Sequence, residues 1–165
     1  MKLFIKAAAM LLLAGSVAVS FASSNQTIGE NSMTDGTLTS DQNVEYMNKI
    51  SSEEGVVTTA SGLKYKILTA GSGQGPTATS SVTVNYEGKL TNGSVFDSSY
   101  QRGTPATFGV SDVISGWTEA LQLMQPGSVW ELYIPPELAY GARGIPGVIP
   151  ANSVLVFKVE LISVS

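Results

Sequence analysis

The chain has 165 residues, a formal net charge of −4, and neither His nor Cys. Without those two residue types no disulfide framework, Cys- or His-ligated metal, thiolate nucleophile or Ser-His-Asp triad can be built. The acidic balance makes a poor nucleic-acid binder, since phosphate contacts require clustered Lys and Arg, and the length favours one domain with at most an appendage.

Lys2 and Lys6 flank the start of an apolar run that continues from Ala7 to Phe21, and Ser20-Phe21-Ala22 has the small-x-small form of a cleavage site. The layout predicts a secretory signal over residues 1–22, cut after Ala22, and so a periplasmic or secreted protein. A membrane anchor is the alternative. The run of about 15 apolar residues is shorter than the ~20 that span a bilayer, and no basic residue follows until Lys49. No stable span is expected after cleavage. Residues 23–39, rich in Ser, Asn, Thr and Gly, read as a disordered linker.

Ser40 or Asp41 is positioned to cap a short helix over residues 40–55, running to about Glu54 and stopped by Gly55, with Val44, Met47 and Ile50 or Ser51 near one face. A helix of this length is marginal alone. Its stripe is far smaller than the roughly 800 Å² per partner of a stable interface, so docking on its own domain, or none at all, and a monomer are expected.

From residue 56 to 165 the runs are short and the punctuation dense. Leu63 to Leu68 reads as a strand. Gly71 to Pro76 is a loop that lacks the Gly-Lys-Ser/Thr and following helix of a phosphate loop. Val82, Val84 and Tyr86 alternate with polar residues as in a half-buried strand. Asn92-Gly93 signals a hairpin, with Val95-Phe96-Asp97 returning. Ile114, Trp117, Leu121 and Met124 recur at helical spacing, predicting a helix from Val113 to Met124. Trp130, Leu132 and Ile134, then Leu155, Phe157, Val159 and Leu161, mark the two strongest strands. Between them Pro135 to Asn152 holds four Pro and three Gly, too broken for regular structure. The expected fold is α+β: five or six antiparallel strands with one short helix on the apolar face.

Tyr86, Phe96, Phe108, Trp117, Tyr140 and Phe157 occupy mostly inward positions of these patterns, where a core role is the ordinary reading. Two details point further. Asp97 stands beside Phe96, and Tyr140 sits in the Pro/Gly-rich loop, where a long ordered segment tends to be functional.

Five stretches, in order, are specific. They are Val84-Asn85-Tyr86-Glu87-Gly88, Gly93 to Ser99, Val113-Ile114-Ser115-Gly116-Trp117, Ala139 to Gly144, and Ile149 to Asn152 with Leu155 to Leu161. Together they resemble the FKBP-type peptidyl-prolyl cis-trans isomerases, over about Val56 to Val164. Gly116 to Met124, with Glu54 to Val57 and Ser61 to Tyr65, looks more like the exported bacterial branch related to macrophage infectivity potentiator proteins.

The resemblance implies a strongly twisted sheet wrapped around the helix, with a pocket between them. Trp117 would form the floor. Tyr86, Phe96, Val113, Ile114, Ile149 and Phe157 would form the walls, with Phe108 behind. Asp97 and Tyr140 would supply polar atoms, with Asp97 bonded to Tyr140 or facing the substrate. The Ile149 N–H would hold a carbonyl of the bound peptide. Partners would be proline-containing polypeptides and macrolides such as tacrolimus or rapamycin. Rotation about an Xaa-Pro bond breaks no bond, so no cofactor or covalent intermediate is implied. A chaperone or binding module with little turnover is the alternative on the same fold. Ala106 replaces an aromatic common in the family. The loop from Phe108 to Val113 is two residues shorter than in the small cytosolic eukaryotic form, and Ile145 stands where that form has a His.

Overall fold

The computed structural model describes residues 38–165. The predicted signal over 1–22 and nearly all of the 23–39 linker lie outside the described residues. Seven strands run in chain order: β1 Val56–Thr58, β2 Lys64–Thr69, β3 Ser81–Leu90, β4 Val95–Ser98, β5 Ala106–Gly109, β6 Val129–Ile134 and β7 Leu155–Val164. Three α-helices accompany them: α1 Ser40–Ser51, α2 Ser99–Arg102 and α3 Ser115–Leu123. All strand pairs are antiparallel, in the order β1-β2-β6-β7-β3-β4, with β5 also on β3.

The α+β expectation holds, with one or two more strands than the sequence pattern suggests. β1 and β5 are three and four residues long, too short to show an alternation of their own, and each is defined by its neighbour's ladder. The long strands follow their patterns. Val82, Val84, Tyr86, Gly88 and Leu90 turn inward along β3, as do Leu155, Phe157, Val159 and Leu161 along β7. Leu132 and Phe157 pair across β6 and β7, and Gly88 and Phe157 across β3 and β7.

α3 lies on this inward face through Gly116, Trp117, Ala120 and Leu121. It starts two residues later than expected, because Val113 and Ile114 are extended, and ends at Leu123 with Met124 as its cap. Gly116 is what lets the helix lie against β6: a Cβ there would stand 2.6 Å from Ile134 Cγ2. Glu119 ties the far side of α3 to the chain between β1 and β2, accepting from Thr59 Oγ1 at 2.7 Å and Ser61 Oγ at 2.5 Å.

The cap of α1 is Thr39, not Ser40 or Asp41. Its hydroxyl accepts from the Gln42 N–H at 3.2 Å, and the Gln42 side chain returns to the Thr39 N–H at 2.8 Å. This reciprocal box satisfies two open donors of the first turn. The helix ends at Ser51, short of Glu54, where the Ser51 and Ser52 hydroxyls bond the Met47 and Lys49 carbonyls. Its inward face is also rotated from the expected stripe. Asn43 and Ile50 are buried and Val44 faces solvent.

Candidate active site

β4 carries two neighbouring site residues, Phe96 and Asp97. In a regular strand adjacent side chains point to opposite faces. Here the register shifts: Gly88 pairs with Asp97 but Lys89 pairs with Val95, leaving Phe96 as the extra residue of a bulge. Both side chains therefore reach the inward face. Phe96 meets Phe157 edge-to-face at 5.5 Å, and Asp97 Oδ2 accepts from the Tyr86 hydroxyl at 2.5 Å. Gly88 leaves the room for this, since a Cβ there would lie 2.6 Å from both Phe96 and Phe157 ring atoms.

Trp117 is fully buried at the centre of the aromatic set. It makes edge contacts with Tyr86 at 5.3 Å, Phe108 at 5.9 Å and Phe157 at 5.3 Å between ring centroids, at interplanar angles of 84–89°. Such perpendicular pairs satisfy the ring quadrupoles. Val113, Ile114 and Ile149 are buried in the same contiguous cluster, while Phe96, Phe108 and Tyr140 are half-buried against it. All ten predicted site residues thus come together.

Asp97 bonds Tyr86 and Arg102, and Tyr140 lies within electrostatic reach of both Asp97 and Tyr86. One detail differs from expectation. The Ile149 N–H is already engaged. It donates to the Ile145 carbonyl at 2.8 Å, and Ile145 N–H returns to the Ile149 carbonyl at 2.8 Å. This two-way bridge closes a tight turn in the loop, so the N–H implied as the peptide's donor is committed within the protein.

Sequence reasoning missed Arg102 and Ser99. β4 and β5 share one edge of β3 and leave a gap opposite Tyr86. α2 fills the gap. There the buried Ser99 hydroxyl accepts from the Tyr86 N–H at 2.8 Å, replacing a ladder bond, and donates to Asn85 Oδ1 at 2.9 Å. At the end of α2 Arg102 donates to Asp97 Oδ1, and to the Tyr86 hydroxyl at 2.9 Å, with its guanidinium 5.5 Å from the Tyr86 ring centroid. Ser98 before α2 and Gly103 after it are cap and stop signals for one helical turn. They were legible, but not the direction of Arg102.

Burial raises the Tyr86 phenol, and the Asp97 carboxylate beside it adds to the effect, although Arg102 opposes it. Burial likewise raises Tyr140, with Asp97 and Tyr86 contributing. Desolvation disfavours the Arg102 charge, and its hydrogen bonds to Tyr86 and Asp97 more than offset that. Both phenols are therefore neutral donors. A folded-state tyrosine raised above the ordinary value of about 10 contributes stability that is complete below about pH 10 and is lost as pH climbs through the raised values. The urea midpoint should therefore hold up to about pH 10 and fall above it. A midpoint that does not fall above that pH would contradict this.

Among the described residues no group of three or more acidic side chains is placed to hold a metal ion, and no helix is long and apolar enough to cross a membrane. The whole is an α+β domain whose sheet closes over a helix around an aromatic site with one carboxylate. The family model described as FKBP-type peptidyl-prolyl cis-trans isomerase matches residues 73–162, and that of the domain amino-terminal to it matches residues 11–67. The Coxiella burnetii peptidyl-prolyl cis-trans isomerase Mip is 64% identical over 110 residues, covering 67% of this chain and 48% of that protein. The Escherichia coli isomerase FkpA is 50% identical over 120 residues, covering 73% of this chain and 44% of its own. A solved Pseudomonas syringae peptidyl-prolyl isomerase superposes with a TM-score of 0.72 at 41% identity, covering 76% of this chain and 92% of that one. The chain belongs to the FKBP-type peptidyl-prolyl cis-trans isomerase family, in its Mip and FkpA branch. It spans about half the length of the curated relatives it matches.

Proposed function

We propose that the chain accelerates cis–trans isomerisation of Xaa-Pro bonds in exported polypeptides, without cofactor or covalent intermediate. The observation that carries this is the closed set of perpendicular aromatics around Trp117, with its one carboxylate held by Tyr86 and Arg102. The uncatalysed bond rotates over about 18–20 kcal/mol in tens of seconds. Its planar ground state is a strong dipole, and the twisted state has lost much of that resonance. An apolar box disfavours the first more than the second. A 10⁴-fold gain requires only about 5.5 kcal/mol, and binding that favours the twisted imide is the general way to supply it.

In this reading Trp117 is the floor for the prolyl ring, and Tyr86, Phe96, Phe108, Val113, Ile114, Ile149 and Phe157 surround it. Tyr140, kept protonated, offers a hydroxyl to a substrate carbonyl. Asp97, paired with Arg102, fixes the Tyr86 hydroxyl in the wall of the box. Since the Ile149 N–H is committed, the Ser115 and Gly116 N–H groups, which precede the first bonded N–H of α3, take over as backbone donors. Macrolides such as tacrolimus or rapamycin are expected to compete for the same box.

The test is a protease-coupled assay on proline tetrapeptides. Leu or Phe before Pro should give a kcat/KM about fivefold above Glu, the ~1 kcal/mol that a like charge costs near an acidic surface. Uncatalysed rates from folded protein that still binds the peptides would favour a binding module. Localisation in the periplasm or outside the cell follows from the predicted signal, with cleavage after Ala22 readable by N-terminal sequencing. A monomer is supported by α1, whose buried Ile50 is used within its own chain. Sedimentation at micromolar concentration should return one chain's mass, and twice that mass would overturn it.

A further inference from the structure

The long loop bearing Tyr140 and Ile149 is drawn together at its neck. The Asn152 N–H donates to the Gly141 carbonyl at 2.8 Å, joining the residue after Tyr140 to the residue three beyond Ile149. Asn152 is the one non-glycine residue with positive φ among the described residues, at +56°. Asn tolerates that conformation better than other side chains but is not indifferent to it. Its carbonyl accepts from Asn43 Nδ2 at 2.7 Å, across 109 positions of sequence. Asn43 is 7% exposed, and its Oδ1 has no hydrogen-bond partner. A buried half-satisfied amide is costly, so the position is poor for stability alone. The bond also fixes which end of the amide faces Asn152, since a carbonyl takes only the donor.

We propose that α1 is a brace for the active-site loop, with Asn43 as the positioning residue. By holding the Asn152 carbonyl, Asn43 keeps the neck in its left-handed turn, and so sets Tyr140 on one side and Ile149 on the other. α1 is seated on the domain by the buried Ile50 and its packing against β1, which gives the brace a footing separate from the loop. The inference rests on the isomerase reading for its effect on turnover, but the mechanical link stands without it.

The test uses the full chain and two substitutions. Asn43→Ala removes the donor. Asn43→Asp keeps the shape and, when ionised, sets a carboxylate against the Asn152 carbonyl, while its protonated form regains a donor. At about pH 7 both variants should exchange the Gly141, Gly144, Ile149 and Asn152 amide protons about tenfold faster, the worth of one net hydrogen bond. Tyr86, Leu132 and Val159 should keep their protection. Turnover of a Leu-Pro peptide, followed by NMR exchange, should fall by a similar factor in kcat with KM little changed. At about pH 4.5 or below, the range where carboxyls protonate, Asn43→Asp should recover toward wild type and Asn43→Ala should not. Lys64 and Glu137 line the same groove, and Asn43→Ala, which carries no carboxyl, is the control for their influence at each pH. Unchanged loop protection in both variants overturns the brace. So does equal loss in loop and sheet, which marks general destabilisation. If the wild-type chain has no turnover, the isomerase reading fails, and the exchange pattern alone decides the brace.

Discussion

Replacing Trp117 with alanine is expected to abolish most turnover and to be the most damaging single change in the domain. Trp117 is fully buried, with Tyr86, Phe108 and Phe157 set edge-on around it. Removing an indole from such a site costs about 3–5 kcal/mol of stability. The catalytic loss is separate. Three prolyl methylenes are worth about 0.8 kcal/mol each when buried. Losing the floor forfeits most of that, roughly 2 kcal/mol, or about 30-fold in kcat/KM. Trp117→Phe keeps an aromatic floor and should lose clearly less of both. Urea unfolding alongside the tetrapeptide assay separates the two effects. Near-normal kcat/KM per folded Trp117→Ala molecule would remove Trp117 from the site. Phe157→Ala should behave similarly, because Phe157 joins the Trp117 and Phe96 rings.

Asp97→Leu is expected to lower kcat/KM by about tenfold, or ~1.4 kcal/mol. The Asp97 side chain is 7% exposed and that of Arg102 33%. Without the carboxylate, the Tyr86 hydroxyl loses its acceptor and Arg102 its counter-charge. Breaking a buried pair costs about 3–5 kcal/mol when the remaining charge is trapped. Arg102 reaches solvent, so a loss nearer 2 kcal/mol is expected. Asp97→Asn preserves shape without charge and tells whether potential or geometry matters. Adding Arg102→Leu to Asp97→Leu closes a double-mutant cycle. If stability falls while each folded molecule turns over normally, Asp97 serves structure alone.

The sequence made the long strands and the central helix legible because each obeys one period along its length. The inward residues of β3 and β7, and Trp117 on α3, follow from that alone. What stayed hidden depends on a partner. β1 and β5 are too short for a period, and Arg102 reaches Asp97 only because β4 and β5 leave a gap on β3 for α2. The bulge at Phe96 was equally hidden, although it lets neighbouring residues serve one face. On α1 the apolar stripe pointed to Val44, whereas the helix turned the amide of Asn43 inward to meet a carbonyl 109 positions away. The commitment of the Ile149 N–H follows from a five-residue turn that no spacing rule announces.

The place of β7 in the sheet has a consequence for timing. β7 lies between β6 and β3, and its inward residues include Phe157. Until residues 155–164 have been made, β3 and β6 have no shared neighbour and the Trp117 side chain has no lid. Pairings that span so much sequence form late, because loop closure precedes their reward. The domain therefore cannot fold piecemeal behind an advancing N-terminus.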